Sequence, residues 1–144
     1  MIKEKQKMTT SEWETMRVIW TLGEATGRQI IRIMTLKKNW SPSTIKTLIS
    51  RLQNKGYLTD NGALRDRIYR PTIAEHEAMT TALDDTISSM CAMCVGDAMA
   101  DVLTTVQLSQ HDIGHLQHVL AQKMDDAPET VACDCMPNHW EDLK

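Results

Sequence analysis

Trp40-Ser41-Pro42-Ser43-Thr44-Ile45-Lys46-Thr47-Leu48-Ile49-Ser50-Arg51-Leu52 is the segment on which the reading of this chain turns. Ser41 is suited to cap a helix, and Pro42 fits the first helical position, where a missing N–H costs nothing. Ile45, Leu48, Ile49 and Leu52 follow at i, i+3, i+4 and i+7, which is one buried stripe. The opposite face carries Ser43, Lys46, Thr47, Ser50 and Arg51. Short hydroxyls and long cations are the groups that meet phosphate oxygens and base edges in a major groove. Taken alone, the segment reads as an ordinary amphipathic helix with a solvated polar side.

The charge distribution changes that balance. Residues 1–72 hold seven lysines and seven arginines against six acids, a net +8. Residues 73–144 hold two lysines and no arginine against 13 acids, a net −11. The overall −3 therefore hides a basic front half, which suits a polyanion, and an acidic back half with another task.

The 144 residues suit one domain, or a small domain followed by an assembly segment. A hydrophobic content of 42% is that of a folded protein. Aromatic residues make up 4%, with no Phe, while there are ten Met, so packing is expected to be aliphatic and adaptable. No stretch approaches the roughly 20 apolar residues that span a bilayer, and the charged N-terminus is followed by no apolar run. The expectation is a cytoplasmic protein without membrane contact, its four cysteines present as thiols or thiolates instead of disulfides.

Outward from the central segment, Thr10-Ser11-Glu12 opens a helix that closes near Gly23, and Thr26 with Gln29 forms a capping box for a second. The third helix ends at Gly56. Tyr57-Leu58-Thr59 reads as a strand, Asp60-Asn61-Gly62 as a turn, and Leu64 to Tyr69 as a returning strand. In that strand Arg65, Arg67 and Tyr69 share one face, so both arginines would reach a backbone or minor groove. Three helices and a two-stranded hairpin make a winged helix. From Ala74 to Val106 the pattern is helical, with Val95-Gly96-Asp97 expected as a break. Ser109-Gln-His-Asp112 opens a last helix with Ile113, Leu116, Leu120 and Met124 inward. Such helices most simply pair with a second copy. Val131 to Lys144 looks irregular.

Cys133-Asp-Cys135 is the second signal. In an extended chain residues i and i+2 project to one side, so two thiolates can converge on one ion. Thiolates favour Cu(I) or Zn(II) over hard cations, and the single-residue spacing differs from the Cys-x2-Cys of structural zinc sites. The opposing reading is a tail that binds nothing.

The runs Ser11-Glu-Trp-Glu-Thr-Met-Arg-Val-Ile-Trp20 and Trp40 to Leu52 resemble the BlaI/MecI/CopY winged-helix repressors. Val95-Gly-Asp, Leu108-Ser-Gln-His-Asp-Ile113 and Ala132-Cys-Asp-Cys135 look most like the CopY branch, the copper-responsive repressors. The likeness covers roughly residues 8–136. It implies a homodimer on a palindromic operator of TACA/TGTA type upstream of copper-export genes, with a copper chaperone as a further partner. In that branch Zn(II) occupies the cysteine tail in the DNA-bound form, and Cu(I) displaces it as inducer and releases the repressor. The tail there usually carries two Cys-x-Cys pairs. Here the second is replaced by Asn138-His-Trp-Glu-Asp-Leu-Lys144. Three outcomes stay open: a site shared by Cys133 and Cys135 of both subunits, a site supplemented by Met136 or His139, or sensing that is weakened or lost.

Other candidates weigh less. Cys91-Ala-Met-Cys94 has a redox or zinc spacing, but on the apolar stripe it is expected mid-helix as inert thiols at the dimer interface. Cys91 would reach a metal only if the bundle opened nearby. His111, His115 and His118 line one stripe of the last helix and read as solvated surface. Trp13, Trp20 and Trp40 are expected in the three-helix core. No catalytic constellation stands out, so an enzyme is not expected.

The expectation is therefore a mainly α fold with a small β-wing. A winged helix-turn-helix occupies 1–72, an all-α dimerisation segment 73–124, and a flexible metal-binding cysteine tail 125–144. Ser43, Thr44, Lys46, Thr47 and Arg51 would enter the major groove, and Arg65 and Arg67 would clamp the backbone. Two competing readings are a BlaI/MecI-like repressor released by proteolysis and, from another class, a small copper-buffering protein.

Overall fold

A hydroxyl side chain starts each of the first three helices. Thr9 caps α1 (Thr10–Leu22), Thr26 caps α2 (Gly27–Lys38) and Ser41 caps α3 (Pro42–Asn54). The first two are full capping boxes, closed by the Glu12 and Gln29 side chains. The stops are equally local. Gly23, Asn39 and Gly56 take positive φ values of 82°, 59° and 85°, where the backbone leaves the helix. The computed structural model describes residues 6–144, which fall into two units, one ending at Ala82 and the other running Leu83–Lys144.

In the first unit the three helices pack pairwise. Ile45 and Leu52 of α3 are wholly inaccessible, and Leu48 and Ile49 are 4% exposed, as the stripe requires. Met16 and Ile19 of α1 and Ile30 and Met34 of α2 fill the space against them. The tryptophans do not. Trp13, Trp20 and Trp40 are only half-buried; Trp20 and Trp40 pack against the core from outside, and Trp13 meets Trp20 with ring centroids 5.7 Å apart. A buried indole must satisfy its N–H, and Trp20 Nε1 does so at the Ile73 carbonyl, 2.9 Å away at the edge of the unit.

The wing differs from the sequence expectation in two respects. Its sheet has three strands in the order β1-β3-β2: β1 (Ala25–Thr26), β2 (Leu58–Asp60) and β3 (Ile68–Pro71), all antiparallel. β1 is only two residues long, too short for any periodicity. The returning strand starts at Ile68, so Leu64–Arg67 is loop. Asn61 Oδ1 accepts from both Ala63 N and Ile68 N and closes the loop there, and Asp66 has a positive φ of 49°. Arg65 and Arg67 consequently do not alternate along a strand.

One ion pair binds α1 to the end of α3. Lys55 Nζ lies 2.7 Å from Glu12 Oε2, with side-chain exposures of 16% and 1%, and it also donates to the Lys7 carbonyl. The other Glu12 oxygen has no partner among the described residues. Glu12 also completes the α1 capping box, so it tolerates loss of charge better than loss of its cation.

The C-terminal elements are α4 (Glu75–Ser88), α5 (Val95–Thr105) and α6 (Gln110–Met124), the last capped by Ser109 with Asp112 as expected. The break in the long helical stretch falls at 89–94, before Val95-Gly96-Asp97, which form the first turn of α5. Cys91 and Cys94 are therefore in the turn, half-buried and exposed, and not buried mid-helix. Neither α5 nor α6 buries a residue. Ile113, Leu116, Leu120 and Met124 are all exposed in the single chain. Val131–Lys144 is irregular apart from a short 3-10 turn at Trp140–Leu143.

Lys55→Met should destabilise the first unit by about 3 kcal/mol, since it strands a buried carboxylate. Adding Glu12→Gln should restore most of that loss in urea unfolding. A double variant as unstable as the single one would refute this account. Asn61→Ala should cost roughly 1 kcal/mol and accelerate hydrogen exchange at Ile68 N–H. Unchanged exchange there would show that the loop is closed by something else.

Candidate functional site

The outer face of α3 is presented because its inner face has nowhere else to go. Ser43, Thr44, Lys46, Thr47, Ser50 and Arg51 are all exposed. Three of the hydroxyls are already oriented: Ser41 Oγ lies 3.1 Å from Ser43 Oγ and 2.9 Å from Thr44 Oγ1, and Thr47 Oγ1 donates to Ser43 O. Lys46 and Ser50, one turn apart, line an open cleft of about 680 Å³ between α2, α3 and the wing. Arg28, Tyr69 and Arg67 line the same cleft, with Asp66 as its acid. Arg28 carries no sequence signal beyond its charge, since only the packing of α2 beside α3 brings it there.

Arg65 and Arg67 are exposed in the wing loop. Arg67 is partly committed, with Nε 3.0 Å from Ala63 O and 3.8 Å from Asp60 Oδ1. Asp60 anchors the base of the wing through Gly62 N at 2.7 Å and the Gln53 amide at 2.6 Å. These two bonds, the Gly62 N–H first, hold its carboxyl below the ordinary value of 3.8. The contribution of Asp60 to the wing is thus present above the ordinary carboxylate range and is lost as pH falls through the lower folded-state value.

In the second unit, the cysteine tail meets the α4–α5 turn. The sulfurs of Cys91, Cys133 and Cys135 all lie within 4.8 Å of one another, the one such metal-ligand group among the described residues. Cys91 Sγ is 3.8 Å from Cys133 Sγ. Asp134, between the two tail cysteines, accepts from Ala92 N at 2.9 Å and so pins the tail to the turn by backbone as well. Cys135 N points at Cys133 Sγ, 3.5 Å away.

These thiols share protons. Cys135, donating to Cys133 and then to Cys91, is pushed up to about 12. Cys91 receives that bond first and the Met93 N–H second, and is drawn down to about 7. Cys94 is raised, chiefly by its own bond to the Cys91 sulfur. A cluster of this kind is a soft donor set. With metal–sulfur bonds of about 2.3 Å, three sulfurs around one ion stand roughly 4 Å apart, so the observed spacing fits Cu(I) or Zn(II).

The structure thus brings Cys133 and Cys135 together and adds Cys91. His139 stands outside the group and takes a left-handed conformation before the last 3-10 turn, while Met136 is exposed. His111, His115 and His118 are exposed on α6. The Cys-x2-Cys spacing at 91–94 was the available signal for the third sulfur. Its meaning depended on where the helix broke.

The penicillinase repressor family model matches residues 8–122. An uncharacterised 16.5 kDa protein of Latilactobacillus sakei is 43% identical over 138 residues, 96% of this chain and 94% of the relative. The methicillin resistance regulatory protein MecI of Staphylococcus aureus (strain N315) is 27% identical over 123 residues, 85% of this chain and 100% of MecI. Among solved structures, the DNA-binding domain of the repressor BlaI is 32% identical, covering 51% of this chain and 90% of its own, with a TM-score of 0.48. With a match running through the three-helix unit, the wing and on to α6, the chain belongs to the penicillinase repressor family, the BlaI/MecI/CopY group of DNA-binding transcriptional repressors.

Proposed function

We propose that this chain is a copper-responsive repressor, which binds a palindromic operator as a homodimer and leaves it when Cu(I) occupies its cysteine site. In this reading Zn(II) holds the site in the DNA-bound form. The observation that carries the reading is the group of three thiol sulfurs at the tail, whose softness and spacing suit a d10 ion. The chain acts by binding and not by catalysis, in the cytoplasm, where operator DNA and reduced thiols coexist. No helix of the described residues is long and apolar enough to cross a membrane.

The roles divide along the chain. Residues 1–72 bind DNA, with Ser43, Thr44, Lys46, Thr47 and Arg51 in the major groove and Arg65 and Arg67 on the backbone. Lys46 and Arg51 supply phosphate or guanine contacts. Residues 73–124 dimerise. Support for that comes from Met99, Val102, Leu103, Val106, Leu120 and Met124, apolar side chains each at least 43% exposed in a single copy. Residues 125–144 carry the metal ligands Cys133 and Cys135. A 100-fold fall in operator affinity needs about 2.7 kcal/mol of differential metal binding between the two states, well within thiolate chemistry.

Two measurements test this. Fluorescence anisotropy of a labelled TACA/TGTA duplex should show Lys46→Ala and Arg51→Ala binding more weakly, each with a salt slope shallower by about 1 if the contact is to phosphate. Full affinity in both would remove α3 from the interface. Cu(I) titrated into the wild-type complex should release the duplex, while Cys133→Ser/Cys135→Ser should stay bound. If neither protein releases, copper is not the signal, and a proteolytic signal becomes the reading to pursue.

A further inference from the structure

We infer that the metal site of this protein is completed within one subunit by Cys91 of the α4–α5 turn, with Cys94 as the fourth sulfur for an ion that needs four. This rests on the metal-sensing reading but goes beyond it. It names ligands outside the tail and replaces a site shared between two tails with one inside a single chain.

Three observations converge on it. Cys-x-Cys offers two sulfurs, one short of a three-coordinate Cu(I) site and two short of the four that structural Zn(II) takes. A third sulfur already stands 3.8 Å from Cys133, close to the separation that two ligands of one ion adopt. The approach is held by more than sulfur, because the Asp134 carboxylate accepts from Ala92 N and locks the middle of Cys133-Asp-Cys135 onto the turn. Backbone and side chain thus fix the same register between segments 42 residues apart.

Cys94 completes the argument by its position. The turn bonds Cys94 N and Val95 N to the Cys91 carbonyl at 3.0 and 3.1 Å, so Cys91 and Cys94 sit on one tight loop. Cys94 lies outside the mutual-contact triangle of the other three sulfurs. Three thiolates satisfy Cu(I), whereas structural Zn(II) takes four ligands in a tetrahedron. Each ligating thiol gives its proton to solvent as the metal binds, and no redox step is involved.

The test uses the full-length reduced protein under anaerobic conditions. Metal per chain is counted by native mass spectrometry with Cu(I), Zn(II) and Co(II), and protected thiols are mapped by alkylation and peptide mass. One metal per chain is expected, with Cys91, Cys133 and Cys135 protected together by Cu(I). Cys91→Ser should weaken Cu(I) by about 100-fold or more in chelator competition, as Cys133→Ser does. Cys94→Ser should leave Cu(I) affinity within a few-fold and shift the Co(II) spectrum away from that of a four-sulfur tetrahedron. Thermal unfolding of each variant separates ligand loss from misfolding. One metal per two chains, or Cys91 alkylated as fast with metal as without, would overturn the inference. Cu(I) bound once per chain with Cys91 protected, but no operator release, would uphold this site and sink the copper-repressor reading instead.

Discussion

Burial of one helical stripe is the constraint on which the first unit depends. Ile45, Leu48, Ile49 and Leu52 are at most 4% exposed, and an α-helix that buries these four positions must turn Ser43, Lys46, Thr47 and Ser50 outward. The direction of the helix is set by its ends. Asn39 in a left-handed conformation turns the chain after α2, and Ser41 bonded to Thr44 N starts α3 two residues later. At the far end Lys55 ties the helix terminus to Glu12 of α1. A face held at both ends and from beneath loses little freedom when it meets a rigid partner, which favours affinity.

The two units solve the burial problem differently. The first has enough apolar residues on three helices to close a core without help. The second does not: α5 and α6 bury nothing, and apart from the half-buried Val95 their Met, Val, Leu and Ile residues remain open. Its fold is incomplete in the sense that its apolar faces need another surface. Thirteen acids against two lysines from residue 73 onward disfavour contact with a polyanion, while seven arginines and seven lysines in the first half favour it. The charge asymmetry and the exposed apolar faces divide the chain at much the same place, which on the proposed reading keeps DNA contact and self-association on separate stretches.

What could be read from sequence is what depends on neighbours along the chain. The caps at Thr26, Ser41 and Ser109, the stop at Gly56 and the α3 stripe all involve residues three or four apart, and all stand where the pattern puts them. The misses share the opposite property. β1 exists only because Ala25 and Thr26 pair with Tyr69 and Ile68, more than 40 residues away. The wing strand begins late because Asn61 captures Ile68 N, a bond that no alternation of apolar residues encodes. The helix break was misplaced because Val95-Gly96-Asp97 can start a helix as well as end one. With the break set too late, Cys91 looked buried, and its approach to Cys133 was invisible.

That approach changes what metal binding can do mechanically. Two cysteines in a tail, ligating alone, would order only the tail. A metal held by Cys91 and Cys133 closes a loop of about 40 residues that contains all of α5 and α6. By the chain-entropy argument used for disulfides, a cross-link of that span removes about 4 kcal/mol of freedom from the open state. It acts on the turn where α4 gives way to α5, and α5 and α6 are the helices whose apolar faces are exposed in the single chain. On the proposed reading the ion therefore works on the geometry of the dimer and leaves α3 untouched. Operator half-sites are read by two recognition helices at a set separation, so altering that separation weakens binding without altering a single base contact. Both ions close that loop, so its entropy is common to the Cu(I) and Zn(II) forms, and the roughly 2.7 kcal/mol of a 100-fold release has to come from how differently the two ions hold the turn. A ligand set of three sulfurs for one ion and four for the other supplies such a difference at the turn itself.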